Sequence, residues 1–156
     1  MDGHAMPDSD QSITTFSLSS RDRQGCLEKL TSLLERETKV IFAYAHGSFV
    51  QDLPFRDLDI AVYLDPHHIP DDRYSYEDRL SHELAQKLQV AFPIDTRILN
   101  QTPIPFQYHV LKGHLLLDRD PEARVSYMEY IISRYLDMEP ILRHHIREVV
   151  ESGPES

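Results

Sequence analysis

Three features are scarce in this sequence: long apolar runs, cysteine and positive charge. No apolar run approaches the roughly 20 residues that a membrane-spanning helix needs, so we expect no membrane partner. The single cysteine, Cys26, cannot form an internal disulfide, and its place beside Leu27 and Leu30 in a helical pattern predicts a small, buried apolar side chain. The first residues show no signal-peptide pattern, and we therefore expect a cytoplasmic protein.

The shortage of positive charge limits the ligands. Only 16 Lys and Arg residues oppose 26 Asp and Glu residues, which gives a formal net charge of −10. A protein that binds nucleic acid through its phosphates normally presents a basic face, so we expect no direct binding of free DNA or RNA. An acidic surface is better suited to a basic protein partner.

The chain has the size and composition of one globular domain, with 156 residues of which 40% are hydrophobic. Residues 1–19 are rich in Asp, Ser, Gln and Thr and are predicted to be disordered. Residues 20–150 are predicted to form the domain, and residues 151–156 a flexible tail. Apolar periodicity predicts four strands, at 40–45, 58–64, 94–99 and 114–117. It also predicts three helices at 21–38, 74–90 and 106–112. A fourth helix is predicted to begin after the cap Asp120, and a fifth to run from about Glu139-Pro140 to Val149.

The helix after Asp120 carries an apolar stripe. Its members recur at three and four residues, which predicts one buried face. The stripe consists of Val125, Met128, Ile131, Ile132, Tyr135 and Leu136.

The most informative pattern is the pair Asp57 and Asp59 at the start of the second strand. Side chains two residues apart on a strand point to the same face, so two carboxylates stand side by side. Such a pair is costly because like charges repel, and a divalent cation such as Mg²⁺ removes that cost. Upstream, the first strand ends in Gly47-Ser48, which can approach a ligand closely and offer a backbone N–H and a hydroxyl to phosphates.

A Gly-Ser turn, a loop and then Asp-x-Asp on the next strand resemble the signature of the DNA polymerase β-type nucleotidyltransferase superfamily. The resemblance implies an α/β (α+β) fold with a small mixed sheet of about four strands, flanking helices and C-terminal helices. It implies that Gly47 and Ser48 bind a nucleoside triphosphate. It also implies that Asp57, Asp59 and a third carboxylate, for which Asp95 is the candidate, hold two Mg²⁺ ions and act in catalysis.

The chain downstream narrows the resemblance. The runs Ile94-Asp-Thr-Arg-Ile-Leu-Asn, Val110-Leu-Lys-Gly-His and Tyr135-Leu-Asp-Met-Glu-Pro are similar to minimal nucleotidyltransferases of the MntA antitoxin type, and the likeness covers roughly residues 25–150. Such proteins pair with a HEPN-domain toxin, an RNase, and transfer AMP from ATP to one of its tyrosines. The resemblance therefore implies ATP as substrate and a cognate HEPN toxin as partner.

The loop between the two motifs departs from the family pattern. Eight residues separate Ser48 from Asp57, fewer than is usual, and Val50-Gln51-Asp52 stands where the family has a basic residue. Arg56 is the candidate to replace that residue in nucleotide binding. Three other interpretations stay open: an antitoxin that acts by binding alone, a small-molecule nucleotidyltransferase, and an unrelated α/β domain with surface carboxylates at these positions.

Overall fold

In the computed structural model, residues 13–152 are described, and their centre is one four-stranded sheet. The strands are β1 (Val40–His46), β2 (Leu58–Leu64), β3 (Ile94–Ile98) and β4 (His114–Asp118). They lie in the order β3-β2-β1-β4. Strand β1 pairs antiparallel with β2 and with β4, whereas β2 and β3 are parallel. The predicted small mixed sheet of an α/β domain is confirmed.

Helices flank this sheet. They are α1 (Ser20–Leu34), α2 (Arg73–Leu88), α3 (Ile104–Leu111) and α4 (Pro121–Glu151), with short 3₁₀ helices at Ser48–Gln51 and Pro66–His68. The N-caps follow from the sequence, because short polar side chains satisfy the free N–H groups of a first turn. The Ser19 hydroxyl accepts from the N–H of Asp22 at 3.1 Å, and the Asp120 carboxylate accepts from the N–H of Ala123 at 3.0 Å.

Strand alternation divides the core into two layers. In β2, Ile60 and Val62 face the side covered by α1 and α2, where Cys26 is buried as predicted. Ala61 faces the opposite side, beneath α3 and α4, together with Phe42 and Tyr44 of β1. Asp59 shares the parity of Ala61, so it belongs to this second face, near the first residue of β2.

The N-terminal segment reaches the domain through Phe16. Residues 1–12, most of the segment predicted to be disordered, and residues 153–156 of the predicted tail lie outside the described residues. The N–H of Phe16 donates to the carbonyl of Phe55 at 2.7 Å, and the N–H of Phe55 donates back at 3.0 Å. This bridge fixes the loop two residues before Asp57.

The C-terminal region differs from the prediction in two ways. The two predicted helices form one continuous α4, with Pro140 inside it. A proline removes one backbone hydrogen bond, and here water can satisfy the freed carbonyl because Leu136, four residues earlier, is exposed. The predicted buried stripe is also largely wrong: in α4 only Ile131 is fully buried, whereas Val125, Ile132 and Leu136 are exposed.

The reason is that α4 packs mainly on α3, so one narrow strip of its surface is covered. Within residues 13–152, no helix is both long enough and apolar enough to cross a membrane.

Candidate active site

Three acidic residues meet at one end of the sheet. Asp59 of β2 lies opposite Asp95 of β3 in the parallel register, and Asp57 lies two residues before Asp59. One carboxylate oxygen from each of the three lies within 4.8 Å of the others. The parallel pairing of β2 and β3 therefore joins residues that are 36 or more positions apart in sequence.

Crowding among these carboxylates changes the ionisation of Asp59. Burial is the largest cause, and the negative charges of Asp57 and Asp95 add to it, so the pKa of Asp59 is raised from 3.8 to about 7. The neighbouring Arg97 opposes this rise. The raised pKa of Asp59 shows that the surrounding protein supplies too little positive charge to stabilise its ionised form.

The donor set fits a divalent cation. All three groups offer carboxylate oxygens, the ligands that Mg²⁺ prefers, and all three are half-buried rather than fully enclosed. A cation held by Asp57, Asp59 and Asp95 would relieve the repulsion that raises the pKa of Asp59.

Gly47 controls how closely the neighbouring loop approaches this cluster. Its φ angle is +82°, a conformation that favours glycine. A Cβ atom there would lie 2.7 Å from Oδ2 of Asp59. Ser48 follows as the exposed first residue of the 3₁₀ helix, so its hydroxyl and the glycine backbone both remain accessible beside the carboxylates.

A buried arginine that the sequence did not single out anchors this loop. Arg23 of α1 is only 5% exposed, and its Nη1 donates to the carbonyl of Phe49 at 2.9 Å while Nε donates to that of Leu18 at 2.9 Å. Its guanidinium also lies over the rings of Phe49 and Phe55. An arginine in the polar first turns of a helix carries no local sequence signal of burial, because the loop that it binds is 26 residues away.

His46 occupies the same row of the sheet, opposite Asp59. It is buried at 8% exposure, and its Nε2 has no hydrogen-bond partner among the described residues. Burial, with a smaller contribution from His109, lowers its pKa from 6.5 to about 4, although Asp95 opposes the change. His46 is thus a neutral imidazole at pH 7.

The two arginines near the cluster are placed differently. Arg97 Nε lies 3.7 Å from Oδ2 of Asp95, a contact that sequence analysis missed although the two residues are two apart on one strand. Arg56, the predicted nucleotide-binding residue, is exposed on the loop directly before Asp57. The structure thus shows a contact with the acidic cluster for Arg97, whereas Arg56 is next to the cluster in sequence.

The sequence of this chain matches a known protein family. The family model described as polymerase beta, nucleotidyltransferase matches residues 28–122. No curated protein sequence matches significantly.

Solved structures with a similar fold come from toxin–antitoxin complexes. A chain of the MntA–HepT complex superposes with a TM-score of 0.63 at 20% identity, covering 81% of this chain and 98% of that chain. A chain from tri-AMPylated Shewanella oneidensis HEPN toxin in complex with MNT antitoxin gives 0.64 at 21%, covering 82% and 98%. A toxin–antitoxin complex with AMP-PNP gives 0.64 at 22%, covering 79% and 98%. At these identities the likeness establishes a shared fold.

Proposed function

Since this chain belongs to the polymerase beta, nucleotidyltransferase family, we propose that it transfers AMP from ATP to a tyrosine of a cognate HEPN toxin and so neutralises that toxin. The observation that supports this most strongly is the convergence of Asp57, Asp59 and Asp95 beside Gly47. The similar structures support the partner and the group transferred, because one is described as a HEPN toxin carrying AMP in complex with MNT antitoxin.

In this mechanism the acceptor oxygen attacks the α-phosphorus of ATP. A bond forms between that oxygen and the α-phosphorus, the bond from the α-phosphorus to the bridging oxygen breaks, and pyrophosphate leaves. Mg²⁺ ions, when bound, supply Lewis-acid polarisation of the phosphate oxygens and of the acceptor. Asp57 and Asp59 would hold the ions, and Asp95 would complete the set and accept the proton of the acceptor hydroxyl.

The remaining site residues position the triphosphate. The backbone of Gly47 and the hydroxyl of Ser48 donate to the β- and γ-phosphate oxygens as the pyrophosphate departs. Because Arg56 precedes Asp57 and is exposed, its guanidinium can pair with a phosphate from the solvent side.

The toxin needs a surface on this chain, and the C-terminal half of α4 provides one. Ile141, Ile146, Val149 and Val150 are all exposed, at 62–73%. Ile146, Val149 and Val150 are three and four residues apart, so they share one face of the helix and form an apolar patch near its end. Exposed apolar groups of this extent on a charged protein are typical of a contact surface, and we propose that this patch binds the HEPN toxin.

The transfer is tested by incubating this protein with its cognate HEPN toxin, ATP and Mg²⁺, followed by mass spectrometry of the toxin. AMP transfer with loss of pyrophosphate adds ~329 Da to a tyrosine. Asp57→Ala is expected to lower the rate by several orders of magnitude, because it removes one of the three carboxylates that would hold the ions. Asp71→Ala, at an exposed residue of the loop before α2, is the matched control and is expected to leave the rate unchanged. Full activity of Asp57→Ala would refute the mechanism.

An antitoxin that acts by binding alone is the competing function, and the absence of a basic residue in Val50-Gln51-Asp52 favours it. In that case the toxin is inhibited but its mass does not change after prolonged incubation. Asp57→Ala then inhibits the toxin as well as the parent protein does. The same mass measurement thus separates the two functions.

A further inference from the structure

A second cleft opens on the other side of Gly47 from the acidic cluster. It has a volume of about 300 Å³ and lies between the 3₁₀ helix after Gly47 and the turn that joins α3 to β4. The side chains and backbone that line it include His46, Gly47, Gln51, His109, Lys112 and His114.

Close packing of two backbones forms this cleft. A Cβ atom on Gly113 would lie 2.3 Å from the carbonyl oxygen of Ala45, so only glycine lets the α3–β4 turn approach β1 this closely. That approach places Lys112 and His114 across from Gly47. Lys112 lines the cleft, and its Nζ also lies 4.4 Å from the centroid of the Tyr108 ring, which limits the range of its side chain.

The charge of the cleft is opposite to that of the protein. The chain has a net charge of −10, yet of the residues that the structure describes none with a carboxylate lines this cleft. Lys112 supplies the positive charge there, and three of the nine histidines, among them the neutral His46, offer ring nitrogens beside it. An isolated basic cleft on an acidic protein favours an anionic ligand.

The order of the strands gives the position of this cleft relative to the acidic cluster. Asp95 on β3 and Asp59 on β2 occupy one side of the sheet edge, Gly47 follows β1 in the middle, and His114 begins β4 on the other side. Neighbouring strands are ~4.8 Å apart, so the cleft lies about two strand spacings, or ~10 Å, from the carboxylates. One triphosphate chain can extend from the acidic cluster past Gly47 into the cleft.

We propose that this cleft binds the β- and γ-phosphates of the nucleotide and that Lys112 supplies the positive charge that the short loop after Ser48 lacks. The inference rests on the proposed nucleotidyl transfer at the acidic cluster. Lys112 thereby replaces, from a different element of the fold, the basic residue missing from Val50-Gln51-Asp52. His109 and His114, both exposed at the rim, add N–H donors to the same phosphates.

The test is calorimetric titration of the full chain with AMP-PNP and with AMP, each in the presence of Mg²⁺. Lys112→Met is expected to raise the Kd for AMP-PNP about 10-fold, because it removes a charged hydrogen bond to the terminal phosphates. The Kd for AMP, which lacks those phosphates, is expected to stay the same. Lys112→Arg is expected to restore most of the affinity for AMP-PNP.

The matched control is Lys87→Met, which removes a lysine from the last turn of α2, outside the cleft. It is expected to leave both Kd values unchanged. Circular dichroism spectra of all variants check that each is folded, and Lys112, being exposed, is not part of the core.

The outcomes separate this inference from the proposed function. If the parent chain binds AMP-PNP and Lys112→Met binds it equally well, the cleft assignment is overturned while the transfer function stands. If Lys112→Met weakens AMP and AMP-PNP equally, the cleft holds the nucleoside or α-phosphate part, and the assignment is again wrong.

If the parent chain binds no nucleotide, the proposed transfer fails, and inorganic tripolyphosphate without metal then tests the cleft alone. Binding that is lost in Lys112→Met supports an anion site, and no binding overturns it.

Discussion

A Cβ atom on Gly47 would lie 2.7 Å from Oδ2 of Asp59. The bend that would bind the phosphates and the carboxylate that would bind metal are therefore in van der Waals contact, with no room for a side chain between them. This contact joins the ends of β1 and β2 and makes the two motifs one site.

Gly47→Ala tests that contact. If the alanine keeps the strained φ of +82°, its Cβ displaces the Asp59 side chain. If its backbone moves to relieve the strain, the loop moves relative to Asp59. We expect AMP transfer to fall by about two orders of magnitude or more, since small displacements of a catalytic group are costly. The free energy of unfolding is expected to fall by about 1–3 kcal/mol.

Gly25→Ala is the control for that substitution. Gly25 lies within α1, and a Cβ there meets no atom within 4 Å. Replacing glycine with alanine in a helix stabilises by about 0.5–1 kcal/mol, so this variant is expected to be fully active and slightly more stable. Equal activity of the two alanine variants would contradict the role of Gly47.

Asp59→Asn should show a pH-dependent gain in stability of the metal-free protein. The pKa of Asp59 is raised to about 7 in the folded state from 3.8, so the folded state binds more protons between these values. The free energy of unfolding of the parent chain therefore falls as pH rises from about 4 to about 7. The asparagine variant has no carboxyl group at this position and does not show this fall.

Urea denaturation in EDTA at pH 4.5 and at pH 8 measures this difference. We expect the advantage of Asp59→Asn to grow by about 1–2 kcal/mol between the two pH values, after allowance for solvent screening. Mg²⁺ is expected to stabilise the parent chain at pH 8 and not the variant. Asp71→Asn, at an exposed position, serves as the control, and an equal advantage for it would disprove the assignment.

His46→Gln tests the opposite linkage. The pKa of His46 is lowered to about 4 from 6.5, chiefly by burial, so the unfolded state binds more protons between these values. The parent chain then loses stability as pH falls from about 6.5 to about 4. Relative to the parent, His46→Gln is expected to gain about 1–2 kcal/mol between pH 7.5 and pH 5 in urea denaturation.

The control for His46 is His82→Gln, at an exposed position of α2. Its stability relative to the parent chain is expected to be the same at both pH values. If the stability of His46→Gln relative to the parent chain is also the same at both pH values, His46 is not held neutral by the fold.

Two isoleucines of α4 form a matched pair for the packing of that helix. Ile131 is 0% exposed against the core below α3, and Ile146 is 64% exposed. Ile131→Ala is expected to lower the free energy of unfolding by about 2–5 kcal/mol, whereas Ile146→Ala changes it by less than about 0.5 kcal/mol.

Ile146→Asp extends the same test to the HEPN toxin. It is expected to leave the domain folded and to abolish binding of the toxin in size-exclusion chromatography. A large loss of stability in Ile146→Ala would show that the apolar patch packs within this chain instead.

Local patterns in the sequence were sufficient for much of this structure. Period-two alternation predicted Asp57 and Asp59 on one face of the second strand, and their carboxylates do lie together although Asp57 directly precedes β2. The short polar side chain of Asp120 marked the start of α4. These features depend on residues a few positions apart, which is why they can be predicted without the fold.

Contacts between distant segments were decided only by the tertiary structure. The parallel register of β2 and β3 brings Asp95 to Asp59, and Arg23 is buried because it binds a loop 26 residues away. Nothing in the local sequence indicates that one face of α4 is exposed, or that Lys112 and Gly47 line the same cleft. An apolar stripe in the sequence does not show whether another element will cover it. A lysine at the end of a helix does not show which strand the following turn will pack against. Both depend on how the strands and helices are arranged in space.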